Sequence, residues 1–446
     1  MPIFVLSAYL KRVLYIIYYW PPCGGISVLR NLKFVKYFRE FGWEPVVFAP
    51  EDANYPVIDP TTAKDIPPGT EVIKTKAVEP FAIFNLLQGR KMDSRVKDVF
   101  LVREARPGIM HKLGVWVRGN LFIPDARMLW INPSVKYLRK YLKTHHIDAI
   151  ISYGPPHSTH RIAYRIHKET NIPWIADFQD PWTQIDYFEK FMLTDFARKK
   201  HQTQEKEVLE SADKVVMVSP SWRKDMAELG GRPVEYIPFG YDEDDFRNTT
   251  PKDNGNKFVI SHYGTLGTDR NPEQLWTVLA EMMSEVPGFE SHLLIDLAGV
   301  VDYSVFHSIE ESGLKDKLRY VPFMTKDKVI EGMLGSDVLL LLLNKGFGDY
   351  NVKGRIPAKL FEYLGSKRQV LVIGQADSDV ANIISETNAG LTIDYDNTEA
   401  LKSNLIRFYE AWKEGKQLYS PQNIEKYSFK NLTGQMAALL DEISSK

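Results

Sequence analysis

The sequence predicts an α/β protein made of two parallel-sheet domains in tandem, each sheet flanked by helices. Three observations predict it. Short apolar runs of strand length alternate with amphipathic stretches of helix length along most of the chain, the pattern of parallel strands joined by crossover helices. The alternation restarts after the polar stretch RNTTPKDNGNK at 247–257. The chain has 446 residues, more than one hydrophobic core holds, so two domains of roughly 200 residues are expected.

Taken in order, RVLYIIYY (12–19) is the first buried strand. The stretch before it is apolar, but Lys11 and Arg12 interrupt the run, no positive segment precedes it and no small-residue cleavage site follows. It reads as an extension plus a strand, not as a signal peptide or membrane span. In ISVLRNLKFVKYFREFG (26–42), Leu29, Leu32, Val35 and Phe38 recur at helical spacing, and Gly42 suits the left-handed residue after a helix. EPVVFAP (44–50), DAIISYG (148–154), PWIADF (173–178) and KVVMVS (214–219) continue the first sheet. FVISHYG (258–264), HLLIDLAG (292–299), LRYVPF (318–323), DVLLLLL (337–343), QVLVIG (369–374) and AGLTID (389–394) form the second. The expected domains are 1–245 and 246–424 with a cleft between them. The amphipathic tail 425–446 is expected to pack back on the first domain.

Residues 51–130 break the rhythm and read as a large irregular insertion. From Gln88 to His145, thirteen Lys/Arg stand against four Asp/Glu. These charges are either a solvated surface or a patch for an anionic acceptor or an anionic membrane surface. Elsewhere the balance is even. The net charge of −1 provides no field toward nucleic acid. A single cysteine, Cys23, excludes an internal disulfide and points to a reducing compartment such as the cytoplasm.

Several loops that follow strands carry chemistry. In YYWPPCGGISVLR (18–30), Gly24 and Gly25 lie between the first strand and first helix, where glycines let a backbone approach a ligand; a plain turn would look the same. HYGTLGTDRNP (262–272) repeats the design with Gly264, Thr265 and Gly267. There Asn271 is expected as a helix cap and Pro272 as the first helical residue. Arg270 is then either an exposed loop residue or the partner of an anion shared with that helix end. SYGPPHSTH (152–160) brings His157 and His160 to a strand end, and ADFQDPW (176–182) brings Asp177 and Asp180 to the next one. Each alone is an ordinary turn or cap residue; together they face one crevice at the carboxyl ends of parallel strands. In IPAKLFEYL (356–364), Pro357 is expected at the first helical position. Lys359 and Glu362, three apart, form either a solvated ion pair or a site for phosphate and sugar hydroxyls. No metal-binding motif, nucleophile elbow, phosphate loop or G-x-G-x-x-G fingerprint is present.

In this order, YYWPPCGG, SYGPPHSTH, ADFQDPW, VEYIPFGYD, HYGTLGTDRNP and IPAKLFEYLGSKRQVLVIG resemble the retaining glycosyltransferases of family 4. The resemblance covers nearly the whole chain. It implies the GT-B fold of two Rossmann-like domains. It also implies transfer of a sugar from a nucleotide-sugar to an acceptor hydroxyl, without metal or cofactor. Glu362 matches the second Glu of the family's E-x7-E motif, which binds the ribose; Gly354 stands in place of the first. Backbone N–H groups near Pro357, Ala358 and Lys359 would face the donor. Thr265 replaces an arginine of the family's basic pair, leaving Arg270 to meet the diphosphate, while Gly24, Gly25 and Gly264 approach it. Asp180 and His157 would lie near the acceptor hydroxyl and the sugar, with His160 and Asp177 on the acceptor side. Gln179 stands where the family carries a histidine. The implied setting is synthesis of a cell-surface polysaccharide or glycolipid at the inner face of the membrane, with a saccharide or lipid-linked acceptor. Two other readings stay open: a nucleotide-sugar epimerase of the same architecture, and a binding subunit that has lost catalysis, motivated by Gly354 and Thr265.

Overall fold

The computed structural model describes residues 10–51, 53, 55, 57–77, 109–185, 188–345 and 351–445. The chain divides into two units, one of residues 1–238 with 429–446 and one of residues 239–428.

The first unit is built on seven strands: β1 (Lys11–Ile16), β2 (Trp43–Glu51), β3 (Glu71–Lys76), β4 (Ala149–Gly154), β5 (Trp174–Phe178), β6 (Lys214–Met217) and β7 (Glu235–Tyr236). All are parallel, in the order β3-β2-β1-β4-β5-β6-β7. Its helices include α1 (Ile26–Tyr37), α2 (Ile109–Leu121), α3 (Ile131–Tyr141), α4 (Ser158–Thr170), α5 (Asp195–Ser211) and α6 (Pro220–Gly230). The second unit has six strands: β8 (Phe258–Tyr263), β9 (Leu293–Ala298), β10 (Leu318–Val321), β11 (Val338–Leu342), β12 (Val370–Ile373) and β13 (Gly390–Ile393). These are also parallel, in the order β10-β9-β8-β11-β12-β13. Its helices are α7 (Glu243–Phe246), α8 (Glu273–Glu285), α9 (Phe289–His292), α10 (Tyr303–Glu311), α11 (Lys326–Leu334), α12 (Lys359–Gly365), α13 (Asp379–Glu386) and α14 (Thr398–Lys413). The last helix, α15 (Phe429–Ser444), belongs to the first unit.

Both sheets are α/β doubly wound. Strand order reverses between β1 and β4 in one, and between β8 and β11 in the other. Ligands in such sheets bind outside the carboxyl ends of the strands at that reversal.

The apolar strand runs form as read, because a strand covered on both faces needs nothing but apolar side chains. Val13 to Ile16 and Val338 to Leu341 are all at most 1% exposed. The second core gathers Trp276, Leu279, Phe289, Leu340, Phe408 and Tyr409. The first helix ends a turn before Gly42. It closes at Tyr37, a 3-10 turn covers Phe38–Phe41, and Gly42 terminates it at φ 82°.

Residues 51–130 are not wholly irregular. β3 lies among them and pairs with β2 over six residues. EVIKTK, with three charges, escapes an apolar reading because the faces of an edge strand are only partly covered and most of its side chains stay in reach of solvent. Part of the basic stretch, including Arg90, Lys91, Arg95 and Lys97, lies outside the described residues.

Helix α1 is buried almost all round, including Arg30 and Asn31 at 0%. It is covered by the sheet and also by α15, whose Phe429 meets Phe34 edge to face at 6.2 Å.

Candidate functional site

In the second unit the carboxyl end of β8 gathers polar groups. His262 is buried, and its Nδ1 donates to the Leu340 carbonyl of β11 at 2.9 Å. That fixes Nε2 as an acceptor, and Nζ of Lys359 donates to it at 3.2 Å. Burial first, then Lys359, holds His262 well below the usual histidine range. Burial first, then the Arg270 charge, lowers Lys359 to about 7, with Glu362 acting in the opposite direction. Lys359 and Glu362 are both half-buried rather than on a freely solvated face, and Lys359 gives a hydrogen bond to His262.

Pro357 is not the first helical residue. Helix α12 starts at Lys359, with Ala358 as cap. The Pro357 and Ala358 carbonyls accept from Leu360 and Phe361 at 3.0 and 3.1 Å, so a tight 3-10-like turn absorbs these two residues before the helix proper. Glu362 is half-buried.

The loop after β8 leaves the sheet through Gly264, at φ 119°. Its N–H donates to Ala298 at 2.7 Å, and a Cβ on Gly264 would lie 2.8 Å from Nζ of Lys359. Gly299, at φ 115° after β9, packs its Cα on the Gly264 backbone; a Cβ there would lie 2.6 Å from the Gly264 carbonyl oxygen. Thr265 is exposed. Arg270 ends a 3-10 turn, Thr268–Arg270, with its Nε 3.9 Å from the Asp269 carboxylate.

Asn271 does not cap the helix that follows. Its Oδ1 accepts from Trp276 Nε1 and its Nδ2 donates to Ser308 Oγ, both at 2.9 Å. Helix α8 therefore starts at Glu273, with Pro272 in the cap position. The side chain that would have capped is used to tie α8 to α10.

In the first unit, Gly25 caps α1 at φ 97° with open space where a Cβ would stand. Gly24 faces the chain instead, packed 2.9 Å from Asp59 Cβ at its missing side chain. Asp177 on β5 pairs with Arg30 of α1, both fully buried. The Arg30 guanidinium also donates to the Ile237 carbonyl at 3.0 Å and lies over Phe34 and Tyr153. Burial pushes the Asp177 carboxyl up, against the pull of Arg30. His160 is likewise 0% exposed, with Nδ1 2.8 Å from Ser152 Oγ, which accepts from Trp174 Nε1. Burial lowers His160 to about 3. Neither Asp177 nor His160 presents an atom to solvent; both brace the strand ends.

His157 stacks flat on Trp182, ring centres 4.6 Å apart, and burial keeps it neutral. Gln179 accepts from Tyr153 Oη at 2.6 Å and Ser27 Oγ at 2.7 Å, and its amide donates to Asp180 at 3.3 Å. Asp180 is half-buried.

His262, Arg30 and Trp182 escape the sequence reading. His262 had a signal, a polar residue one position from the end of the buried run FVISHY. Arg30 had none, because its partners Asp177 and Ile237 lie far along the chain.

Among the described residues no group of three or more His, Cys, Asp or Glu is placed to hold a metal ion. Residues 29–245 match the family model described as Glycosyltransferase Family 4. No curated protein matches the chain. Among solved structures, sucrose-phosphate synthase from Thermosynechococcus elongatus is similar at 12% identity and TM-score 0.57, covering 97% of this chain and 94% of that one. WaaG, a glycosyltransferase involved in lipopolysaccharide biosynthesis, is similar at 13% identity and TM-score 0.51, covering 97% and 98%. A putative UDP-N-acetylglucosamine 2-epimerase from Listeria monocytogenes is similar at 9% identity and TM-score 0.57, covering 97% and 96%. At these identities the likeness shows the shared GT-B fold. Together with the family match, it supports a glycosyltransferase.

Proposed function

We propose that this protein moves a sugar from a nucleotide-sugar donor to an acceptor hydroxyl, with retention and without a metal ion or cofactor. The setting proposed is synthesis of a cell-surface polysaccharide or glycolipid at the cytoplasmic face of the membrane. One observation carries the reading. At the carboxyl end of β8, beside the strand-order reversal, Lys359 reaches His262 and Gly264, and its charge is coupled to Arg270 and Glu362.

That arrangement suits a nucleoside diphosphate. Arg270 supplies fixed positive charge, and Lys359 a charge that the bound anion favours, where the leaving group gains negative charge, in surroundings drier than water. Gly264 keeps the backbone low enough for close approach, with Thr265 beside it. Glu362 can accept from two adjacent ribose hydroxyls. Pro357 and Ala358 set the turn that presents Lys359. Gly25, assigned to the donor, leaves open space at the start of α1. Asp180 and the neutral His157 are the polar groups assigned to the acceptor hydroxyl and the sugar. The leaving phosphate takes the acceptor proton as the new glycosidic bond forms on the same face.

The test is nucleotide release from a panel of nucleotide-sugars, with and without candidate acceptors, followed by the anomeric configuration of the product by NMR. Release that requires acceptor, with configuration kept, is expected. Conversion of the donor to an epimer would replace this reading with an epimerase. Donor binding without turnover on any acceptor would replace it with a binding subunit.

A further inference from the structure

Beside the strand-end loops of the first unit lies a cavity of about 140 Å³. A cavity of ~150 Å³ accommodates one six-membered ring. Its walls are aromatic, with Phe122, Trp182, Phe188 and Phe191, and two guanidinium groups, Arg118 and Arg127, line it. Among the described residues lining it, the one carboxylate, Asp125, is already engaged. It accepts from the Ser158 N–H, the Ser158 hydroxyl and the Arg127 N–H, each at 2.8 Å, and so closes the start of α4. His201 is engaged too, between Trp182 Nε1 and the Gly119 carbonyl.

His157 differs. It lines the cavity, is 6% exposed, and its imidazole makes no hydrogen bond among the described residues. Its Nδ1 lies against Gly154. Across Pro124 a groove of about 240 Å³ continues the same polarity, lined by Arg161, Arg165 and Lys200. Arg161 pairs with Glu207 at 2.7 Å, Arg165 donates to Asn132 Oδ1 at 2.5 Å and lies near the Glu169 charge, and Lys200 forms no ion pair among the described residues.

We propose that this cavity binds a negatively charged sugar residue of the acceptor, a ring bearing a carboxylate or a phosphate. The inference rests on the transferase reading above and specifies its acceptor class. The aromatic walls suit the C–H faces of a sugar ring, the neutral imidazole of His157 suits a hydroxyl, and the guanidiniums suit the charge. A small hydrated anion would leave the aromatic walls unmatched.

Direct binding tests it, without donor present. Methyl glucuronide, glucose 6-phosphate, methyl glucoside and inorganic phosphate are titrated into the whole protein by ligand-observed NMR. At least one charged sugar is expected to bind tenfold or more tighter than the neutral glucoside and than phosphate. Arg118→Gln should weaken that binding fivefold or more, as should Ala126→Leu, which fills the cavity; thermal unfolding checks that each variant is folded. Equal binding of charged and neutral sugars, no saturable binding of either charged sugar, or phosphate binding as tightly as the sugar phosphate would overturn the proposal. So would full binding by folded Arg118→Gln. Nucleotide release is measured separately, so a transferase with a neutral acceptor loses this inference alone.

Discussion

A lysine that gives its hydrogen bond to a neutral histidine, with an arginine charge nearby, is a poor resting place for a cation and a good waiting place for an anion. Lys359 sits at about 7 in the free protein. Below that pH its amine is charged; above it, a bound diphosphate must first draw in a proton. The ligand favours the protonated amine and so raises its pKa, which gives the sign. Affinity is fullest below about pH 7 and falls as pH rises from there toward the bound-state value. Nucleoside diphosphate affinity by calorimetry should drop severalfold between about pH 6.5 and 8.5. The drop should vanish in Lys359→Arg, which stays charged. A flat wild-type profile would take Lys359 off the phosphate. Glu362→Ala should weaken nucleotide-sugar binding by roughly 1.5–3 kcal/mol, the worth of hydrogen bonds to a charged group. Unchanged affinity would remove Glu362 from the donor. Glu362 could be nominated from the sequence because it stands in a local motif. The partner of Lys359 was not, since His262 is brought to it across the sheet and no spacing within one helix can announce that.

Elements show the same division. Strands covered on both faces were legible, as QVLVIG and DVLLLLL, because burial alone dictates their composition. β3 was hidden because an edge strand need not be apolar. Helix starts shifted at Pro272 and Pro357, where the deciding bonds come from Trp276 and Ser308 in one case and from a 3-10 turn in the other. The exits of β8 and β9 are the least forgiving point. Gly299 has φ 115° and its Cα rests on the Gly264 backbone. Gly299→Ala meets a strained dihedral and a carbonyl that cannot rotate away, as a flexible side chain could. It should cost about 2–3 kcal/mol in chemical denaturation and weaken donor binding by shifting Gly264. A loss under about 0.5 kcal/mol would mean that the two loops can part at little cost.

At the scale of the whole molecule, the basic excess between Gln88 and His145 sets the next expectation. No helix among the described residues is long and apolar enough to cross a membrane. Anionic lipid attracts each nearby Lys or Arg by about 1 kcal/mol, so five or six on one face would give attachment that salt reverses. The protein should sediment with anionic vesicles at low salt and leave them at high salt. Neutralising Arg90, Lys91, Arg95 and Lys97 together should reduce attachment and spare donor binding. Indifference to such vesicles at low salt would make the excess an ordinary solvated surface. The two-sheet plan was readable from the restart of the alternation. The site positions were readable only as loops after strands, because strand order, which brings those loops together, is a property of the assembled sheets.

The passage of the chain out of the first unit at Pro238 and back at Phe429 has a consequence for synthesis. The second unit is an insertion within the first. Its two ends are tied to each other, Tyr241 donating its N–H to the Tyr427 carbonyl at 3.1 Å and bridging to Ser428. On the ribosome, residues 239–428 can therefore complete themselves while the earlier unit waits, the flank of α1 around Phe34 uncovered until α15 is made. A fragment of residues 239–428 should give a single cooperative melt by circular dichroism, and one of residues 1–238 should bind a hydrophobic dye. A message cut short just before Phe429 would thus yield one finished unit joined to a sticky, unfinished one.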